Sequence, residues 1–158
     1  MVHRTQLVRG MMIIIGLCFF SMSALAGPNG KDMAEKAKAA KLDSANAASK
    51  DVGGGKHLKM TPADLSHVKK KEDLESGQFI GTFETDMDGI SLKPGTYNMH
   101  VAKDGDKWKV YAEQDGKIVG EKNFDPVAKN DKGAKAKVWK GSGCFWVWLV
   151  FFGFQVCW

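Results

Sequence analysis

The stretch that decides the fold runs from residue 95 to residue 124 and reads GTYNMHVAKDGDKWKVYAEQDGKIVGEKNF. Apolar and polar side chains alternate on both sides of two Asp-Gly pairs, at residues 104–105 and 115–116. Such a pair predicts a tight hairpin, because both central residues of a type I′ turn need positive φ. Gly105 and Gly116 are expected at the second central position of these turns. Three consecutive antiparallel strands are predicted, at residues 95–103, 107–114 and 117–123.

The same period of two extends toward the N-terminus. Residues 78–84 alternate, and residues 90–92 form a weaker fifth candidate. The sequence therefore predicts a mainly β protein, a small antiparallel meander of four to five strands that a sandwich arrangement would also suit. One sheet face is expected to carry the apolar residues Phe79, Phe83, Tyr97, Met99, Val101, Trp108 and Val110. That face needs a cover, because a small single sheet is marginally stable alone.

A short helix over residues 62–74 is one candidate for this cover. Thr61 suits the N-cap, Pro62 suits the first helical position, and Gly77 ends the segment. A strand folded over the sheet is the other candidate. On this basis the compact β domain is predicted to span residues 60–126.

Two lysine-rich segments flank the predicted domain. Residues 27–59 contain Met33, Leu42, Val52 and Leu58 as their large apolar side chains, too few to bury a helix face. This segment is predicted to be a flexible Lys/Ala/Gly-rich spacer, with attachment to an anionic surface as the alternative. Residues 127–143 are predicted to form a second lysine-rich linker.

The first 26 residues have the pattern of a secretory signal peptide. Arg4 and Arg9 precede the apolar run at residues 11–20, and Ala24-Leu25-Ala26 forms a cleavage site. The apolar run is too short for a helix that crosses about 30 Å of hydrocarbon. The protein is therefore expected to be secreted or periplasmic, with cleavage after Ala26.

The charge of the mature chain argues against binding to nucleic acid. Cleavage would remove both arginines and lower the formal charge from +5 to +3. The remaining cations are lysines interspersed with acids, and lysine lacks the planar fork with which arginine reads guanine. Neither a nucleic acid nor a cofactor is therefore expected as a partner.

Residues 144–158, CFWVWLVFFGFQVCW, form an aromatic hydrophobic tail. As a helix the tail would span about 22 Å, which is short for a bilayer. Three interpretations stay open: a product of a shifted reading frame, a segment that inserts into a membrane or a partner, and a genuine core strand. Cys144 and Cys157 could form a disulfide worth roughly 3 kcal/mol by chain entropy, or could stay as free thiols.

The run Pro94-Gly95-Thr96-Tyr97 at a strand start resembles the hairpin start of prealbumin-like β-sandwiches, including the carboxypeptidase regulatory-type domains. The resemblance covers about twelve residues. It implies a binding or stabilising module without catalysis, and no functional residue is carried over from it.

No catalytic, cofactor-binding or metal-binding residues are predicted. His57, His67 and His100 lack the spacing of metal ligands, and His100 is expected to be solvated on a polar strand face. The acids of residues 86–89 and 104–106 lack the rest of a calcium loop and are interpreted as turn residues. The protein is therefore not expected to be an enzyme.

Two hypotheses on function follow. The first is an exported, non-catalytic β module that binds an unknown protein or an envelope surface. The second is a membrane-tethered envelope protein that is anchored or inserted through residues 144–158.

Overall fold

The computed structural model describes residues 28–128, 136–138 and 143–158, which form two antiparallel β-sheets and one α-helix. The helix α1 spans Gly30–Ala39. The strands are β1 Ala48–Gly53, β2 Lys56–Pro62, β3 Ser76–Thr85, β4 Gly95–Asp104, β5 Lys107–Gln114, β6 Lys117–Phe124, β7 Val127–Ala128, β8 Ala136–Val138, β9 Cys144–Trp148 and β10 Phe152–Cys157. The predicted signal peptide lies outside the described residues.

The first sheet is an antiparallel meander of six strands in the order β1-β2-β3-β4-β5-β6. Every strand pairs with the next one along the chain, as tight hairpins favour. The prediction of a mainly β meander is confirmed, although the expected four to five strands were too few. The fifth candidate, residues 90–92, lies in the loop between β3 and β4.

The predicted spacer at residues 27–59 is wrong for the part that the structure describes. Residues 30–39 are helical, and residues 48–62 form the hairpin β1–β2 around the three glycines at 53–55. The pattern was hard to detect because β1 is an exposed edge strand with polar side chains. In β2, Leu58 and Met60 alternate with Lys59 and are fully buried, so the signal was confined to a few residues.

The predicted helix at residues 62–74 is also wrong. Thr61 pairs with Thr82 in the sheet, so its backbone belongs to β2 and cannot cap a helix. The chain then turns, and only Lys71–Leu74 form a short 3₁₀ helix. The carboxylate of Asp73 accepts hydrogen bonds from the Lys69 and Lys70 amides at 3.0 and 3.1 Å. Local capping signals were present, but strand pairing outweighed them.

The aromatic tail forms the cover of the meander. Strands β9 and β10 pair with each other in a second sheet of order β7-β10-β9-β8, and a disulfide joins Cys144 to Cys157. Large aromatic pairs connect the two sheets: Phe83 with Phe145, Trp108 with Phe152 and Phe124 with Phe154, at centroid distances of 5.1, 4.9 and 3.9 Å. The tail therefore packs as core strands. Residues 129–135 and 139–142 of the predicted linker lie outside the described residues.

Helix α1 covers part of the opposite face of the meander. Asn29 caps it by accepting a hydrogen bond from the Asp32 amide at 2.9 Å, and Met33 is buried against Ala102 and Tyr111. Phe79 lies on this face, because a bulge at β3 pairs it with His100. The expected apolar face was therefore wrong for Phe79, since a strict period of two cannot include an extra residue.

The two predicted Asp-Gly turns both have glycine at positive φ. Asp115 and Gly116 have φ of +53° and +76°, which fits the predicted type I′ turn. At the other hairpin Gly105 has φ of +60°, but the turn is Gly105-Asp106 and Asp106 is not at positive φ. Gly105 is therefore the first central residue, as in a type II′ turn, and its predicted position was wrong.

Replacing Gly105 with valine should lower the free energy of unfolding by about 1 to 3 kcal/mol, because valine is disfavoured at positive φ. A Cβ at Gly105 would meet no atom within 4 Å, so the cost is conformational rather than steric. Urea denaturation followed by circular dichroism measures the change. Lys107→Val, an exposed strand position two residues on, is the control and should change stability little. Equal effects would contradict the assigned turn.

Candidate binding surface

The face beneath α1 holds a buried histidine. His100 is fully buried between the Phe79 ring, 5.3 Å away in an edge geometry, and the Gly77 carbonyl, 3.4 Å from Nδ1. Burial lowers the pKa of His100 to about 4, the Gly77 contact raises it, and the charge of Lys36 lowers it. The prediction that His100 is solvated is wrong, because the polar face of this strand is covered. A neutral, enclosed imidazole is a structural group rather than a solvent-accessible catalytic base.

A buried carboxylate lies on the same face. Glu113 is 1% exposed, and its two oxygens accept hydrogen bonds from the Asn98 side chain at 2.7 Å and the Gly116 amide at 2.6 Å. Both bonds are local to strands β4 and β5 and the turn that follows them. The carboxylate therefore holds the β5–β6 turn in place.

Three of the acids singled out in the sequence lie against basic side chains. Asp86 lies against the His57 imidazole, and Asp88 lies against the Lys56 ammonium. Asp104 pairs with Lys109 at 2.9 Å, which lowers the pKa of Asp104. No cluster of three or more His, Cys, Asp or Glu side chains that could hold a metal occurs among the described residues. These acids act as turn and ion-pair residues.

The turn between β9 and β10, residues 149–152, is here called the tip. The Phe151 amide donates to the Leu149 carbonyl at 2.7 Å, and the Leu149 amide donates to the Phe152 carbonyl at 2.8 Å. Val150 lies at the centre with φ of +70°. This geometry is a strained form of γ-turn, and positive φ is rare for a β-branched residue. The tip nevertheless presents Val150 and Phe151 to solvent, with 41% and 39% of their surfaces exposed.

A groove with a volume of about 520 Å³ adjoins the tip. Its apolar walls come from β2, the turn after it, and the β9–β10 hairpin. They are formed by Pro62, Leu65, Val68, Trp148 and Val150. Leu65 and Val68 are themselves buried, so they form the floor, while Val150 stands at the mouth. Val150 thus belongs both to the tip and to the lining of the groove.

Charges border the groove in a fixed arrangement. The Asp64 carboxylate accepts from the Ser66 amide at 3.0 Å, and the Lys69 ammonium donates to the Ser66 carbonyl at 2.7 Å. Hydrogen bonds from the backbone amide and the side chain of Ser66 lower the pKa of Asp64, with smaller contributions from the charges of His67 and Lys41. One carboxylate and one ammonium are therefore held on a single turn beside the apolar walls. Such a surface can bind by apolar contact and ion pairing.

Two other grooves lie at the two ends of α1. The largest described one, about 980 Å³, lies between the start of α1 and the β4–β5 hairpin. Its lining includes the acids Asp32, Glu72, Glu75 and Asp104, of which Glu75 pairs with Lys103 at 3.6 Å. Another, about 510 Å³, lies between the end of α1 and the turn after β2, with Lys36, Lys41 and His67 in its lining. Neither has an exposed apolar side chain beside it comparable with the tip.

The outer edge of β6 is a poor docking site despite its exposed Ile118 and Val119. The register with β5 shifts between Ala112 and Glu113, which leaves Val119 as an extra residue and interrupts the ladder. Lys117, Glu121 and Lys122 are exposed along the same edge. Bulges and charges are the devices that protect sheet edges from pairing with other strands.

The sequence did not indicate this surface. Residues 62–69 were assigned to a helix, and the tail was interpreted as a single unit rather than a hairpin with an exposed turn. The one available signal was the uninterrupted run Leu149–Phe152, which lacks glycine, proline or any polar residue at the point where a hairpin must turn. An apolar turn costs solubility, so its presence suggests a binding role.

No family model, curated protein or solved structure matches this chain. None of the described helices has the length and hydropathy needed to cross a bilayer. Function therefore has to be inferred from the described residues themselves.

Proposed function

We propose that this protein is an exported, non-catalytic binding module that contacts a partner protein through the tip and the adjoining groove. One observation carries the proposal: a strained turn exposes two large apolar side chains, Val150 and Phe151, beside a groove that Val150 itself lines. The signal-peptide pattern of residues 1–26 supports the expected secreted or periplasmic location.

Backbone strain supports this choice of surface. A residue in a sparsely populated φ region costs about 1 to 3 kcal/mol, and such residues cluster at functional sites. Glycine at position 150 would remove most of that cost, yet the chain has valine, which also exposes apolar surface. A partner that covers the tip would bury this apolar surface, and the gain on binding would offset the stability lost to strain and exposure.

The contribution of the tip to binding can be estimated from its exposure. Burying a whole valine or phenylalanine side chain contributes about 1.5 to 3 kcal/mol. Because Val150 and Phe151 are about two-fifths exposed, a partner that covers both would gain roughly 2 kcal/mol. A gain of that size changes a dissociation constant by more than tenfold.

A membrane surface is the second candidate partner. Most side chains of the tail are buried in the core, so contact with lipid would be confined to the tip and its neighbours. Lys71 lies near the tip, with its ammonium 5.6 Å from the Phe152 ring centroid, and Lys69 and Lys70 are exposed. Apolar tips beside cations suit an anionic bilayer. Sedimentation with vesicles of phosphatidylethanolamine and phosphatidylglycerol tests this candidate.

Photo-crosslinking tests the proposed surface directly. With p-benzoylphenylalanine in place of Phe151, irradiation of cells that export the protein should give a discrete protein adduct. Mass spectrometry of the adduct should recover the peptide around position 151 joined to one partner polypeptide. We expect this adduct because the side chain at position 151 lies in the proposed interface.

The matched control carries the same photoreactive residue in place of Val119, which is equally apolar and 46% exposed on the β6 edge. It should give no discrete adduct. An absence of adducts at position 151, or the same adducts from both positions, would refute the proposed surface.

A further inference from the structure

We infer that the partner of the tip and groove is a second copy of this chain, which forms a two-fold symmetric dimer. This inference rests on the proposed function and identifies the partner. In a two-fold interface the same patch serves both copies, so it must contain a projecting part and a receiving part side by side. Val150 lines the groove, and Phe151, the next residue, projects beside it.

The closeness of these two parts favours a closed dimer. A projection and a hollow on distant surfaces would join copies head to tail into open chains. At this surface a two-fold axis beside Val150 would place Phe151 of each copy over the floor residues Leu65 and Val68 of the other. Both strained tips would then be covered at once.

Charge complementarity supports the same occupant. Asp64 and Lys69 border one groove, and their separate hydrogen bonds to Ser66 hold them apart on the same turn. A two-fold axis between the copies can place Asp64 of each opposite Lys69 of the other. The turn thus supplies both members of an ion pair, as an interface between identical patches requires. Asp43 adds a second carboxylate to the lining, and it accepts a hydrogen bond from the Asn46 side-chain amide at 2.6 Å.

Analytical ultracentrifugation of the protein purified from an exporting host tests the inference. The wild type should form dimers in a concentration-dependent way over roughly 5 to 500 µM, as mass action requires. F151D should weaken dimerisation at least about tenfold, because it places a carboxylate on an apolar floor. V119D, on the β6 edge, should dimerise like the wild type. Circular dichroism checks that each variant is folded.

Charge reversal adds a test that only a self-complementary interface passes. D64K and K69D should each dimerise weakly, since each brings like charges together across the interface. An equimolar mixture of the two should recover dimers, because one copy then presents two cations and the other two carboxylates. The double variant D64K/K69D should recover them as well.

Three outcomes would overturn the inference: a monomeric wild type across this range, F151D dimers as strong as those of the wild type, or no recovery in the mixture. The crosslinking experiment separates these failures from failure of the proposed function. A monomer whose position 151 crosslinks to a different polypeptide leaves the binding surface intact and excludes the second copy as its occupant. A monomer that sediments with the vesicles makes lipid the occupant and likewise excludes the dimer.

Discussion

Replacing Phe154 with alanine should lower the free energy of unfolding by about 3 to 5 kcal/mol, the usual cost of removing a buried phenylalanine. Phe154 is fully buried in β10, stacks on Phe124 at 3.9 Å, and meets Phe145 at 6.2 Å. The substitution therefore opens a cavity between the two sheets. Urea denaturation followed by tryptophan fluorescence measures the effect.

The control is Phe151→Ala, which removes the same side chain three residues earlier, at the exposed tip. It should lower the free energy of unfolding by only about 1 to 2 kcal/mol, since two-fifths of the Phe151 surface is already exposed. If both variants were equally mild, the tail would not be part of the core, and the shifted-frame or inserting-segment interpretations would regain support.

The central strands were predictable because their signals are local. The two Asp-Gly pairs mark both hairpins, and strands β4 to β6 lie close to the predicted ranges. The predicted turn position holds at Asp115-Gly116, whereas the first turn lies one residue later, at Gly105-Asp106. The bulge at Phe79 was not predictable, because the extra residue is specified by pairing with β4 rather than by its own neighbours.

The tail was ambiguous because its strands lack polar alternation. In β9, Phe145 and Val147 are buried while Trp146 and Trp148 are half-buried on the other side. Because the residues from Phe145 to Phe152 are all large and apolar, this run has no visible period, and a membrane segment would have a similar composition. Pairing with β10 and packing on the meander decide its structure, and both are long-range effects.

The N-terminal segment was misinterpreted for a related reason. Helix α1 buries one large side chain, Met33, and is otherwise stabilised by its cap and by hydrogen bonds of Lys36 to the carbonyls of Ser76 and Gly77. Such contacts do not require the periodic apolar residues by which an amphipathic helix is detected in a sequence. Without α1, His100 faces solvent, so one missed helix also made the environment of this histidine unpredictable.

Acidification should destabilise the protein through His100, with a loss of about 3 kcal/mol between pH 6.5 and pH 4. The pKa of His100 is lowered to about 4 in the folded chain, against 6.5 ordinarily. Between these values the unfolded chain binds a proton that the folded chain does not. Stability attributable to this group is therefore present at neutral pH, falls as the pH drops through this window, and levels off below pH 4.

The groups around His100 explain why protonation is unfavourable in the fold. The positive charge of Lys36, on α1, acts on His100. Tyr111 pairs with His100 from β5 and is buried, and the Phe79 ring of β3 lies edge-on to the imidazole. Glu113 lies on the same face of β5, but its two oxygens accept hydrogen bonds from the Asn98 side chain and the Gly116 amide, and the groups that, after burial itself, shift the pKa of His100 are the Gly77 carbonyl and the Lys36 charge. Protonation of His100 in the folded chain therefore costs free energy. That cost lowers the free energy of unfolding as the pH falls.

Urea denaturation of the wild type and two variants at a series of pH values measures the contribution of His100 to the free energy of unfolding. The variants separate it from the contribution of carboxylates that titrate in the same range. His100→Gln keeps a donor for the Gly77 carbonyl but cannot titrate, so its stability should fall less between pH 6.5 and pH 4 than that of the wild type. His57→Gln, at a partly exposed histidine beside Asp86, should leave the dependence close to wild type. If His100→Gln lost as much stability as the wild type between pH 6.5 and pH 4, a buried, neutral His100 beneath α1 would be wrong. A solvated histidine binds protons almost equally in the folded and unfolded chains, so replacing it would leave the pH dependence of stability unchanged.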